Sequence, residues 1–519
     1  MKNILINRKI ILSILVFFSF IVRFILASTD VVYPDSCLYL SYAKSILTGK
    51  FSFNFRGDVE TVLPPLYSLS DAVFAFLTGN FETAGVLVSA IAGALLIVPV
   101  FYLAKAIYNE TAAWISSVLV FLSPVLIHWS GAMLTESLFI TLFISGIALG
   151  WHALESRSKL FILLSGIFVG LSYMTRVIGL VALPVISLWV LIFFIKSSER
   201  GNFNPKMVFK GILTYLTVFS LGFILATGLY LIHLHSFYGY WTLAGGYGSI
   251  KGTISYEGAA TTSGYEGQQN ANAEESFAGR VIRKVSLNSS NYANSLLTML
   301  TFTTAFVIIG LFSARWKILY IASFAFIYFS ALLLQPLSPM LDERMRYLSP
   351  VVPLFLVLTS GGISRIKDWV KWKGINQIVI PISVLIVLLS SFAQFKMFPV
   401  HFDNIWNSGN RVNIRAKVAE WMKETIPKPI RIMSRKPNIP YYADAQWFVT
   451  PPTYPEVLEL AKLKNVDYIV LDKGVDYYLR PELRFLFDPN KIPPELKFMG
   501  GVKHPETGEL FIGLFKIER

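Results

Sequence analysis

The chain has 519 residues, 54% of them hydrophobic and only 15% charged, with a mean hydropathy of +0.55. Soluble chains carry about 25% charged residues, so a string of soluble domains is excluded and a polytopic membrane protein is implied. The formal net charge of +14 would suit nucleic acid, but its placement along the chain excludes that partner as well.

Apolar runs of about 18 or more residues mark membrane spans. They fall near 10–27, 82–104, 112–130, 134–151, 160–175, 177–195, 211–234, 295–313, 316–334, 347–363 and 376–394. The short segments on one side hold Lys2, Arg8, Lys9, Lys105, Arg157, Lys159, Lys196, Arg200, Lys206, Lys210, Arg315, Lys317, Arg365, Lys367, Lys371 and Lys373. Those on the other side hold Arg176, Arg344 and Arg346. This asymmetry puts the N-terminus in the cytoplasm. It puts loops 28–81 and 235–294, and the tail from about 395, outside. The first span is read as retained although "FILAST" offers small residues near its end; Arg23 suits an interfacial residue whose charged head reaches water. The single Cys37 cannot form an internal disulfide.

After the first span, "STDVVYPDSCLYLSYAKSILTGKFSFNFRG" places Asp35 ahead of apolar residues at Leu38, Tyr39, Tyr42, Ala43, Ile46 and Leu47. That spacing predicts a one-faced helix suited to the membrane interface. Asp35 has two roles open to it. It can cap the helix N-terminus, without a capping box because Leu38 stands where Glu or Gln would, or it can be a chemical carboxylate. "TVLPPLYSLSDAVFAFL" from Thr61 starts a second helix after its Pro-Pro pair.

Glu136, in "GAMLTESLFITLF", opens a later span, where an acid is costly unless it meets water or a partner. It is either a solvated interfacial residue or a second acid in the cavity of Asp35. His128 reads as a polar interface residue; no HxxxH, DxD or Cys pair supports a metal site. "SYMTRVIGLVALP" adds Arg176 at the external side. The loop 235–294 contains "YGYWTLAGGYGSIKGTISYEGAATTSGYEGQQN", a composition that cannot build a core alone. It is either a flexible linker or a lid whose Tyr247, Tyr256 and Tyr265 meet a sugar or polar acceptor. In "QPLSPMLDERMRYLSPVVPLF", Arg344 and Arg346 stand where positive charge is usually avoided. Pairing with Asp342 and Glu343 explains them, and so does bidentate binding of phosphate. Beyond 405, helical patterns at 411–425 and 453–464 alternate with "PIRIMS" and "VDYIVLD", which predicts a small α/β domain.

Acids and arginines on one external face fit a definite chemistry. Nucleotide sugars are absent outside the cell, so a glycosyl donor there must ride on a lipid phosphate. Transfer needs a carboxylate to take the acceptor proton and cations to steady the departing phosphate.

The segments "YPDSCLYLSYAKSILTG", "LPPLYSLS", "LTESLFI", "MTRVIGLVALP" and "ERMRYLSPVVP", in this order, with "VDYIVL" in the tail, resemble the GT-C class of membrane glycosyltransferases. They look most like the dolichyl-phosphate-mannose protein mannosyltransferase and aminoarabinose transferase group. The resemblance implies a mainly α, polytopic fold of about 11 or more transmembrane helices over 1–395, with an extracytoplasmic α/β domain over 396–519. It makes Asp35 the leading catalytic candidate and Glu136 the second external acid. Members often carry adjacent acids in the first loop and a basic residue before the Pro-Pro pair; Ser36 and Leu63 stand there instead. The first departure weakens paired-acid or metal schemes. The second leaves donor phosphate to Arg176, Arg344, Arg346 or Arg56. No WWDxG segment marks an oligosaccharyltransferase.

The expectation is a multi-pass plasma-membrane enzyme that moves one sugar, with inversion, from a polyprenyl-phosphate donor to an extracytoplasmic protein, lipid or glycan. The sequence requires no cofactor and leaves room for a divalent cation (Mg or Mn). Its partners would be the polyprenyl-phosphate sugar, membrane lipids and the acceptor. The alternative is a polytopic transporter or glycolipid flippase, which would need polar or broken spans at mid-membrane.

Overall fold

A computed structural model describes residues 2–27, 33–49, 59–198, 205–243, 259–261, 264–266, 276–300, 303–313, 316–335, 341–370, 373–395, 414–503 and 508–518. The chain opens with α1 (Lys2–Ile25). Then come α2 (Pro34–Leu47), α3 (Leu66–Thr78), α4 (Phe81–Leu95), α5 (Ile97–Ile107), α6 (Glu110–Leu122), α7 (Pro124–Ser130), α8 (Glu136–Ser156), α9 (Lys159–Tyr173), α10 (Ala182–Ser198) and α11 (Pro205–Tyr238). After a hairpin of β1 (Ala259–Thr261) and β2 (Gly264–Glu266) follow α12 (Phe277–Leu300), α13 (Thr303–Ser313), α14 (Ile318–Leu333), α15 (Leu341–Leu348), α16 (Val352–Trp369) and α17 (Lys373–Phe395).

The apolar segments lie mainly on helix among the described residues. Among the described residues five helices are long and apolar enough to cross a membrane: Phe81–Ile107, Glu136–Ser156, Val177–Lys196, Pro205–Tyr238 and Glu343–Trp369. Two bent pairs raise that to seven: Glu110–Leu122 with Pro124–Ser130, at 55°, and Val281–Leu300 with Thr303–Ser313, at 97°. The protein is a multi-pass membrane protein. One large apolar core runs through α1 to α17, from Leu12 to Val387.

Close backbone contact sets some helix pairs. A Cβ on Gly166 of α9 would stand 2.1 Å from the carbonyl oxygen of Phe219, and one on Gly222 of α11 would stand 2.2 Å from that of Leu163. Small residues at such crossings let helices pack without a water-driven hydrophobic force between them.

In the span read at 295–313 the helix axis turns by 97° between Leu300 and Thr303. Two expectations are corrected. The Gly-rich reading of 235–294 fails at its end: α12 begins at Phe277, where amphipathic periodicity resumes, and α11 runs on to Tyr238. Arg23 does not reach outward for water. It is fully buried, donating from Nε to Ser130 Oγ (3.3 Å), from Nη2 to the Val120 carbonyl (2.9 Å) and from Nη1 to Ser19, so it ties α1 to α6 and α7.

The C-terminal part is the expected α/β unit. Here α18 (Ile414–Thr425), β3 (Arg431–Ser434), α19 (Asn438–Tyr442), β4 (Gln446–Val449), α20 (Tyr454–Lys464), β5 (Tyr468–Asp472), α21 (Lys473–Leu479), β6 (Leu496–Lys503) and β7 (Leu510–Ile517) build a sheet in the order β4-β3-β5-β7-β6. The β4–β3 and β3–β5 pairs are parallel; β5–β7 and β6–β7 are antiparallel. The sheet separates two apolar layers, one around Ile432, Val470 and Leu514, the other around Met433, Ile469 and Phe515.

This domain rests on α2 and α4. Tyr441 donates its hydroxyl to Glu82 at 2.8 Å, Lys44 of α2 pairs with Asp444, and Tyr441 and Tyr442 pack on Cys37, Leu40, Val86 and Met133.

Candidate active site

The site begins with the start of α2. Its N-cap is Tyr33, not Asp35, and the cap makes no side-chain hydrogen bond. Pro34, with φ fixed by its ring, takes the first helical position and pushes Asp35 to the second. The capping reading of Asp35 is therefore overturned. Its carboxylate still lies in the first turn, where the helix dipole favours an anion. Tyr33 is held by His128, whose Nε2 lies 3.0 Å from the phenol oxygen. His128 is thus a buried polar residue of α7 that anchors the entry to α2.

Glu136 occupies the equivalent place on α8, in the first turn, and is fully buried. Two cations meet it. Arg176 leaves α9 in extended conformation (φ −150°, ψ 131°) and points Nη1 at Glu136 Oε1. Arg346 comes from α15, donates Nε to the same oxygen, and reaches Asp35 Oδ2 with Nη1 at 2.7 Å. The result is a continuous chain of charge, Asp35–Arg346–Glu136–Arg176. Its two ends are partly exposed and its middle is buried: the Asp35 side chain is 21% exposed, Arg346 6%, Glu136 0% and Arg176 19%.

Glu136 Oε2 has no hydrogen-bond partner among the described residues. The Arg176 guanidinium also lies over Tyr347 and Phe139, 5.8 Å and 6.0 Å from the ring centres, a favourable placement for a cation. One turn after Asp35, burial pushes the Tyr39 phenol up to about 12, with the Asp35 charge adding to the shift.

The surrounding loops are pinned. Leu66 N–H donates to the Met174 carbonyl (2.9 Å), joining the Pro-Pro turn to the segment that carries Arg176. Glu60, which the sequence reading passed over, is buried; it takes the Val62 and Leu63 N–H groups on Oε1 at 2.7 and 2.8 Å. Its carbonyl also lies 3.0 Å from His233 Nε2 of α11, and no pattern in the sequence marks it.

Arg344 is not brought into this chain. Two helical positions from Arg346, it points about 200° around the axis and donates Nε to Ser295 Oγ at 3.2 Å. Tyr265 stands in β2 opposite Ala260. Arg56, Tyr247 and Tyr256 lie outside the described residues. Among the described residues no group of three or more His, Cys, Asp or Glu side chains could hold a metal ion.

The arrangement supplies one partly exposed carboxylate, a buried acid with one oxygen to spare, and two arginines between and behind them. Chemically it can accept a proton at Asp35 and hold an anion.

Comparison with known proteins agrees with that class. Residues 63–223 match the family described as dolichyl-phosphate-mannose-protein mannosyltransferase, a stretch that contains Glu136 and Arg176. ArnT from Cupriavidus metallidurans in the apo state is similar in fold, with a TM-score of 0.58 at 12% identity over 98% of both chains. The same protein bound to undecaprenyl phosphate gives 0.56 at 11% identity over 97% of both. The arabinofuranosyltransferase AftD from Mycobacteria gives 0.54 at 13% identity, over 98% of this chain and 40% of that one. No curated protein matches the sequence. The chain thus resembles the GT-C class of membrane glycosyltransferases in fold, and in sequence over residues 63–223.

Proposed function

We propose that the protein is an integral membrane glycosyltransferase that moves one sugar from a polyprenyl-phosphate donor to an acceptor outside the cytoplasm. The observation that carries this reading is the Asp35–Arg346–Glu136–Arg176 chain, with a partly exposed carboxylate at one end and a partly exposed guanidinium at the other. The resemblance to a protein solved with undecaprenyl phosphate adds support.

In this reading the acceptor hydroxyl attacks the anomeric carbon while the carbon–oxygen bond to phosphate breaks, in line and with inversion. The proton goes to Asp35 and the electron pair leaves on the phosphate oxygen. Charge links the two events. Asp35 holds Arg346 only while ionised, so taking the proton frees positive charge as the phosphate gains negative charge. Arg176 and Arg346 hold the donor phosphate, and Glu136 receives a sugar or acceptor hydroxyl on Oε2. The tail would run between spans, about eleven or more in all. No divalent cation is required in this scheme. The N-terminus is cytoplasmic, and the α/β domain lies outside the plasma membrane with the site.

The test is to incubate purified protein with radiolabelled polyprenyl-phosphate sugars and envelope extract, and to follow the label. Asp35→Asn keeps an amide oxygen for Arg346 but removes the base. Transfer should fall by about two orders of magnitude or more, with membrane-inserted yield and donor binding preserved. Near-normal turnover would remove Asp35 from catalysis; no transfer from any such donor would end the proposal.

A further inference from the structure

The α/β domain carries a second polar crevice, remote in sequence from the residues discussed so far. Strands β3 and β5 lie side by side and parallel, yet the chain leaves their carboxyl ends in opposite directions. From β3 it passes through α19 to β4 on one side; from β5 it passes through α21 toward β7 on the other. Such a reversal opens a crevice at the carboxyl ends of the strands, the usual ligand position in open α/β sheets. A cavity of about 10 Å³ lies at that point, walled by Arg435 and Asn438 beyond β3, Asp472 ending β5, Asp476 of α21, and Arg415 of α18. It has about the room that one water oxygen requires.

The polar atoms of this crevice are unevenly served. Both oxygens of Asp472 are engaged: Oδ2 takes Arg415 Nε at 2.7 Å and Oδ1 takes the Gly474 N–H at 3.0 Å. Asp476, 1% exposed, accepts the Asp472 N–H on Oδ2 at 2.6 Å, but its buried Oδ1 has no partner among the described residues. An acceptor in want of a donor therefore stands among guanidinium groups. A phosphate or carboxylate would bring Asp476 only further acceptors, and would meet two acids. An ammonium group would meet Arg415 and Arg435. A hydroxyl both donates and accepts, and Ile439 and Val470 give the same crevice aliphatic wall for the C–H surface of a polyol.

We propose that this crevice binds carbohydrate, with one sugar hydroxyl seated in the cavity and donating to Asp476 Oδ1. The assignment concerns binding by the α/β domain and does not depend on the transferase reading; it can hold for a chain that transfers nothing.

Saturation-transfer NMR on the full-length protein in a sugar-free amphipol tests it, with the methyl pyranosides of glucose, galactose and mannose as probes. At least one should receive saturation from the wild-type protein, and equimolar inorganic phosphate should not displace it. Asp476→Asn keeps an oxygen for the Asp472 N–H but turns the unserved position into a donor, so the Kd should rise about ten-fold. Asp476→Glu keeps the charge and fills the cavity with its own methylene, and should weaken binding to a similar degree. Silence from all three pyranosides means that the cavity holds a structural water only, and overturns the proposal. Displacement by phosphate, or wild-type binding in a variant that unfolds at the wild-type temperature, overturns it equally.

Discussion

Arg346 couples two carboxylates that stand 101 positions apart in the chain, Asp35 and Glu136. Removing one partner of a buried ion pair leaves the other uncompensated and costs about 3–5 kcal/mol. Arg346→Ala should therefore lower folded yield and abolish donor use. Arg346→Lys retains the charge but cannot address both acids as the planar fork does, so yield should recover while donor affinity stays reduced. Arg344→Ala removes a bond to Ser295 and should leave donor affinity near wild type; purification yield and donor titration of the three variants check the set. Asp71 makes a different residue-scale prediction. It is fully buried in α3, neither carboxylate oxygen has a partner among the described residues, and burial, with Glu82 adding, pushes its carboxyl up to about 9. The folded state thus keeps a proton that the unfolded chain loses near pH 4. Stability falls as pH rises between those limits, by at most about 1.4 kcal/mol per pH unit. Asp71→Asn, neutral throughout, should match the wild-type melting temperature near pH 4 and exceed it at pH 8. Parallel pH profiles for the two proteins would show that Asp71 is ionised and served by a partner.

At the scale of elements, helix packing depends on which glycines face a neighbour's backbone. Gly222→Leu would drive a side chain into the Leu163 carbonyl, whereas Gly228, two turns on in the same helix, has nothing within 4 Å of a built Cβ. Gly222→Leu should cost about 1–3 kcal/mol or more, and Gly228→Leu nothing measurable, by thermal unfolding in detergent. The apolar runs were legible because each helix must satisfy its own backbone polar groups in lipid. The two helices of the first loop were legible from the spacing after Asp35 and from the Pro-Pro pair. The 97° bend between the helices that end at Leu300 and begin at Thr303 was not, since hydropathy is continuous across it. The true cap of α2 was missed because Pro34 takes the first helical position and displaces Asp35 by one step, a matter of backbone geometry and not of side-chain preference. The acids and arginines were each visible as charges at an apolar edge. Their partners were not: local pairing with Asp342 and Glu343 was equally readable for Arg346, whereas its partners are 311 and 210 residues away. The strands β4, β6 and β7 carried no comparable signal; β3 and β5 were legible as strands, and only β5 as a buried one.

Across the whole molecule, the charge chain and the α/β domain share one end of the helix bundle. Ser89 of α4 donates to the Leu134 carbonyl at 3.3 Å, beside Glu136, and Glu82 at the start of the same helix binds Tyr441 of the α/β domain at 2.8 Å. The other end is basic. Helix α8 runs 21 residues from Glu136, about 30 Å at 1.5 Å per residue, and near its far end Glu155 pairs with Lys317 at 2.6 Å. Arg8 pairs with Glu110 at 2.8 Å, and Arg157 lies over Phe193 and Phe194. Positive charge gathers on the cytoplasmic side of membrane proteins. The acids, the arginines that bind them and the α/β domain should therefore all face away from the cytoplasm, as a lipid-linked donor would require. Alkaline phosphatase, active only outside the cytoplasm, should be active when fused after Arg519 and inactive when fused after Arg200; a green fluorescent reporter should give the opposite pattern. Alkaline phosphatase activity after Arg200, or fluorescence after Arg519, would turn the bundle over. It would set Asp35 among cytoplasmic nucleotide sugars, and the argument for a polyprenyl-phosphate donor would lose its premise.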